Sequence, residues 1–237
     1  MSEIRLNKFI ASMTDISRRG ADKLIEQGKV SINGRKATVG MTVNDNDEVV
    51  VDGNPLGHNT KKVILAFYKP VGVTVSKKDD HAKVLIGDII DYPLPLTYAG
   101  RLDKDSEGLI LLTNDGDLIN DLMKGANHHE KEYVVKLDKK PEDGAISRLE
   151  KGVYLPELKV KTRPCKIKKI SDKEFMMVIT QGLNRQIRRM WALEGCKVIK
   201  LKRTRIENIK LGGLKTGQYR ELSPDEETKL RSIITKN

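Results

Sequence analysis

The chain has 237 residues, of which 38% are hydrophobic and only 4% aromatic, so a packed core built on aliphatic side chains is expected and a disordered chain is excluded. Its net charge of +11 is unevenly spread: residues 1–150 hold 22 basic and 24 acidic side chains, and residues 151–237 hold 22 basic and 9 acidic ones. Such a surplus on one segment points to a polyanionic partner, while no apolar run reaches the roughly 20 residues of a transmembrane helix and the start, MSEIRLNKFIAS, carries no signal-peptide core. A soluble, cytoplasmic, nucleic-acid-binding protein with no membrane partner is the expectation, and a monomer is the default.

In chain order, residues 5–13 place Leu6, Phe9, Ile10 and Met13 at helical spacing. Asp15-Ile16-Ser17 breaks that helix. Ser17 suits the N-cap of a second helix over 18–27, with Gly28 as its stop. Val30 and Ile32, the turn Asn33-Gly34 and residues 36–39 predict a hairpin, and residues 47–51 predict another strand. The polar stretch DGNPLGHNTKK reads as a linker. This divides the chain into a small α+β domain (1–52), a linker (53–62), a second domain (63–222) and a C-terminal helical tail (223–237). The second domain opens with a buried strand, VILAFY, and reads as mostly strands, with helices near 116–124, 141–151 and 185–193. Ser223-Pro224-Asp225-Glu226 predicts a capping box that starts the last helix.

Four segments carry candidate chemistry. YKPVG at 68–72 is a turn after the opening strand, and by itself means little. GRLDKDSEGLILLTNDG at 100–116 leads a charged loop into an apolar strand; it reads either as a solvated turn or as a loop that presents Asp103 beside a low-dielectric wall. EKEYVVK at 130–136 alternates as a strand, with Lys131, Tyr133 and Val135 on one face. Tyr133 there is either a half-buried sheet residue or a stacking platform for a base. QGLNRQIRRMW at 181–191 gathers Arg185, Arg188 and Arg189 about a helix N-terminus, a setting that favours phosphate, with Lys197, Lys200, Lys202, Arg203 and Arg205 close behind. Cys165 and Cys196 form no C-x-x-C pair, and His58, His81, His128 and His129 show no zinc-ligand spacing.

Taken together and in this order, the four segments resemble the motifs of the pseudouridine synthases, in the RsuA branch. The first fifty residues resemble the S4-like RNA-binding domain that precedes the catalytic domain there. HHEKEYVV, QGLNRQIRRM and KLKRTRIENI are most similar to a large-subunit rRNA member of the branch, and Ser106 stands where many relatives carry Thr. The resemblance implies an α+β fold in which a mixed, mainly antiparallel sheet carries the catalytic site. It also implies isomerisation of a uridine in RNA, 23S rRNA first and tRNA as the alternative, without cofactor or metal. It makes Asp103 the catalytic carboxylate, Arg188 its guanidinium partner, Tyr133 the base-stacking residue and Leu201 its opposite wall. Arg101 would fill the gap left by the extruded uridine, Arg185, Arg189, Lys200, Lys202 and Arg203 would contact phosphates, and Arg18, Arg19 and Lys23 would give the small domain its own RNA contacts. Two rivals follow from the same residues: a non-catalytic RNA-binding protein, and a metal-dependent nuclease built on Asp103, Asp105, Asp115 and Asp117.

Overall fold

The computed structural model describes residues 3–14, 16–44, 46–57, 61–76, 79–124 and 128–235. Asp15, in the predicted break, and residues 58–60, in the predicted linker, lie outside them. The chain divides into two compact units, one of residues 1–62 with 92–97 and 114–116, the other of 63–91, 98–113 and 117–237.

In the first unit, β1 (Ile4–Arg5) leads into α1 (Leu6–Met13), and α2 (Arg18–Glu26) follows. The Ser17 hydroxyl accepts the Gly20 N–H at 3.0 Å, and Gly28 closes α2 at φ +72°, so both ends are capped as the residues foretell. Strands β2 (Val30–Ile32) and β3 (Arg35–Lys36) meet at Asn33-Gly34, both at positive φ. β4 (Thr42–Val43) pairs with β1, and β5 (Val49–Val51) with β2. The stretch read as linker departs from expectation. Asn54–Leu56 is a strand, β6, turned back onto β5 by Asp52-Gly53, whose φ values of 50° and 81° make the same kind of tight turn. Leu6, Phe9, Ile10, Ala21, Ile25 and Val49 form this unit's core.

The second unit is built on β7 (Ile64–Lys69), β8 (Thr97–Ala99), β9 (Glu107–Thr113), α3 (Gly116–Met123), β10 (Lys131–Leu137) and α4 (Ala145–Glu150). The short β11 (Tyr154–Leu155) and β12 (Val160–Lys161) pair with each other; β13 (Lys166–Lys169), β14 (Glu174–Ile179) and α5 (Gln186–Leu193) follow. The chain ends with β15 (Val198–Ile206), β16 (Ile209–Lys210), β17 (Tyr219–Glu221) and α6 (Pro224–Thr235). The large sheet runs β13-β14-β10-β15-β9-β7-β17, with β16 on β15 and β8 on β9. β15 and β9 are parallel; the other registered pairs are antiparallel.

β7 and β9 are buried along their whole length, which is why both read as continuous apolar runs. On one face Ile64, Ala66, Leu109 and Leu111 pack with Leu118 and Leu122 of α3 and with Leu230 and Ile234 of α6. The capping box of α6 is made in full: Ser223 Oγ accepts the Glu226 N–H at 3.2 Å and Glu226 accepts the Ser223 N–H at 3.0 Å. Beside β14, Trp191 of α5 stacks at 5.0 Å on Phe175 and donates to Met177 Sδ.

Gly108 sits at φ +112° where β9 meets β15, and a Cβ there would overlap the backbone of Arg203. Gly108→Ala combines backbone strain with overpacking and should destabilise the protein by about 2–4 kcal/mol. The urea unfolding midpoint measures this, and a midpoint like wild type's would disprove the close-approach account.

Candidate active site

The loop between β8 and β9 places Asp103 one turn before the sheet. Its carbonyl accepts the Ser106 N–H at 3.0 Å, which closes the turn and buries Ser106. The opening turn after β7 braces the same loop from outside: Gly72 N–H donates to Lys104 O at 2.7 Å. Lys69, fully buried, holds that turn shut by donating to Pro70 O at 2.9 Å and Val73 O at 2.8 Å. The segment that means little alone is thus a brace for the charged loop.

Asp103 remains 30% exposed, and Arg185 approaches it to 3.9 Å. Arg185 grips Asp105 bidentately, at 3.1 and 2.9 Å. Burial alone would raise the Asp105 carboxyl; the Arg185 hydrogen bonds and the charge of Arg188 outweigh it and hold it below the usual range. Arg188, expected beside Asp103, works on the loop backbone instead. It donates to Val198 O at 2.8 Å, Asp105 O at 2.9 Å and Ser106 Oγ at 3.2 Å, and its Nε lies 3.5 Å from the Asp105 carboxylate. The Arg188–Asp103 ion pair is therefore corrected: the guanidinium nearest that carboxylate belongs to Arg185, one helical turn earlier.

A cleft of ≈ 690 Å³ opens at this loop, lined among others by Arg101, Asp103, Lys131, Tyr133, Leu201 and Arg203. Tyr133 on β10 is registered against Arg203 on β15 and Val135 against Leu201, so these residues share a face. A bulge in β15 at this point leaves Thr204 between the partners of Tyr133 and Glu132. Arg203 is 2% exposed. It donates to Leu109 O at 2.6 Å, to Arg101 O at 3.4 Å and to the Tyr133 hydroxyl at 3.5 Å, and its Nη2 has no hydrogen-bond partner among the described residues. A guanidinium buried in this way cannot reach an RNA backbone, so its expected phosphate contact is corrected to a buried tie between β15, β9 and the loop.

Lys200 and Lys202 lie on the other face of β15. Strand alternation turns them away from Leu201 and Arg203, and neither lines the cleft. Lys200 pairs with Glu107 at 3.0 Å, and Lys202 lies 5.0 Å above the Tyr68 ring. Arg189 is held by Asn184 and Glu157. Arg101 is exposed at the cleft, and Arg18, Arg19 and Lys23 are exposed on α2 of the first unit. Asp103 and Asp105 precede β9 and Asp115 and Asp117 follow it, so the carboxylate cluster needed by the nuclease reading is not formed; no group of three or more potential metal ligands gathers among the described residues.

The profile of the RNA pseudouridylate synthase family matches residues 63–193. The chain belongs to that family. The S4 domain profile matches residues 4–49. A dual-specificity RNA pseudouridine synthase, RluF, from Escherichia coli O6:H1 is 44% identical over 98% of this chain and 80% of its own length. The ribosomal large subunit pseudouridine synthase B of Bacillus subtilis is 39% identical over 97% of this chain and 96% of its own. A crystal structure of a pseudouridylate synthase superposes with a TM-score of 0.70 at 33% identity, covering 96% of this chain and 99% of that one. The protein is a pseudouridine synthase with an N-terminal S4 domain, in the α+β arrangement its motifs imply.

Sequence reasoning passed over two lysines of this synthase, the buried Lys69 and the half-buried Lys131. Burial, then the charge of Arg203, lowers each to about 8. Lys69 follows an apolar strand with no polar break, which is the one local sign that it is buried. Folded Lys69 releases its proton near 8 and an unfolded lysine near 10.4. Between those values the unfolded chain binds more protons, so stability rises with pH by about 1.4 kcal/mol per unit, and below about 8 the full cost of the buried charge is present. Lys69→Met removes that slope while leaving Lys131's in place. The stability of wild type relative to Lys69→Met should therefore grow between pH 8 and 10 in urea titrations; a constant difference would contradict the assignment.

Proposed function

We propose that the protein isomerises a uridine of 23S ribosomal RNA, with Asp103 as the catalytic carboxylate. The observation that carries the reading is the placement of Asp103 in the cleft beside Tyr133 and Leu201, in a chain whose relatives are named for this activity. The target uridine enters by flipping out of its stack, at a cost of a few kcal/mol. Its base lies against Tyr133 with Leu201 beside it. Arg101, exposed at the cleft, occupies the space vacated in the RNA. Arg185 balances the charge of Asp103, and Arg188 keeps the loop in place through Asp105 O and Ser106 Oγ.

The small domain serves as a second RNA contact through Arg18, Arg19 and Lys23, and the chain past β6 leads into the catalytic domain, 63–222. Among the described residues no helix is long and apolar enough to cross a membrane, in keeping with work on RNA in the cytoplasm. The 44% identical relative is named a dual-specificity RNA enzyme, and tRNA, the alternative that the motifs leave open, is the second substrate to assay.

Asp103→Asn keeps the size of the side chain and removes its charge. It should abolish pseudouridine formation while RNA affinity stays within about threefold of wild type, since no phosphate contact is lost. Carbodiimide mapping of both rRNAs and of tRNA, in cells carrying either gene, reads the first; filter binding reads the second. Loss of one 23S signal names the target. A full set of pseudouridines in the variant overturns the role of Asp103.

A further inference from the structure

Isomerisation leaves a proton to be moved. Once uracil rejoins the ribose through C5, that carbon holds both the new bond to C1′ and its original hydrogen. The C5–H bond must break, its electron pair forming C5=C6. The C6=N1 pair then settles on N1, which takes up a proton. One group that accepts at C5 and donates at N1 completes the step with no other reagent.

Lys131 is placed for this. It lines the same cleft as Asp103 and shares a strand face with Tyr133, two residues away. Its Nζ donates to His129 O at 3.3 Å, and an ammonium has three donors. Around it stand Arg203 on β15, whose charge opposes its own, and Glu207 after β15, whose charge favours it. Glu207 is itself engaged by the His129 ring at 3.0 Å and by the Glu130 N–H at 2.7 Å. The other lysine shifted to about 8, Lys69, spends its donors on the carbonyls of the opening turn and is absent from the cleft wall.

We propose that Lys131 is a further catalytic residue, the general base that removes the C5 proton and returns it to N1. This rests on reading the Asp103 cleft as the place of reaction. The value of about 8 suits the role, because the amine and ammonium forms are then both populated at working pH.

The test is single-turnover pseudouridine formation by the full chain on transcribed 23S rRNA made with ordinary or 5-deuterated uridine. The proteins compared are wild type, Lys131→Gln and Lys131→Arg. Wild-type turnover establishes the underlying activity independently of either variant. Lys131→Gln should slow the reaction on the order of 10²–10⁴-fold and raise the deuterium effect above the wild-type value, since C5–H cleavage becomes limiting. Lys131→Arg keeps a cation but cannot give up its proton, and should be equally slow with the same raised isotope effect. Wild-type rate should climb with pH through about 8, and both variants should lose that limb. If Lys131→Gln fails to fold, Lys131→Arg and the pH profile still decide. A wild-type rate in Lys131→Arg, or slow variants with an unchanged isotope effect, overturns the proposal and leaves Lys131 a structural cation.

Discussion

Glu107 paired with Lys202 and Gly108 paired with Arg203 join the two halves of the large sheet. On one side lie β13, β14, β10 and β15; on the other, β9, β7 and β17. This parallel join is short and needs a glycine, because the backbones approach so closely that a side chain at 108 would strike Arg203. What the site needs arrives through it. β9 begins just after the Asp103 loop, and β15 brings Leu201 and Arg203 to face Tyr133. Arg203 then ties the join together, its guanidinium reaching Leu109 O, Arg101 O and the Tyr133 hydroxyl.

Two cations packed beside the Asp103 loop are deeply buried, while the carboxylates of the loop itself are not. Lys69 and Arg203 are shut into the protein with neutral acceptors, while Asp103 and Asp105 keep part of their surface open. Burying a cation without a hydrogen-bonded anion is costly, and the cost appears as the lowered values of Lys69 and Lys131.

Local rules were enough for the elements. Ser17, Gly28, Asn33-Gly34 and Ser223 with Glu226 each mark an element end through a hydrogen bond or a positive φ that the residue itself supplies, and the strand runs are legible from their apolar patterns. Asp52-Gly53 carries the same turn signal as Asn33-Gly34, and reading past it turned β6 into linker. Side-chain partners were harder. Arg185, Arg188 and Arg189 look alike in a row, and only the direction from which the loop arrives separates the arginine at Asp103 from the one at Ser106 Oγ. Lys200, Lys202 and Arg203 form one basic cluster on paper, yet the two-residue period of a strand divides them between faces. Burial of Arg203 depends on a strand 94 residues away.

That separation also orders the protein's assembly. Contacts between distant residues form late, after nearer ones have condensed. The first unit, with its short helices and hairpins, closes on contacts made early in the chain. The cleft has no floor until β15 has been synthesised and has slid in beside β9. A chain still on the ribosome that made it can therefore fold its S4 module before it has a cleft, which waits for β15.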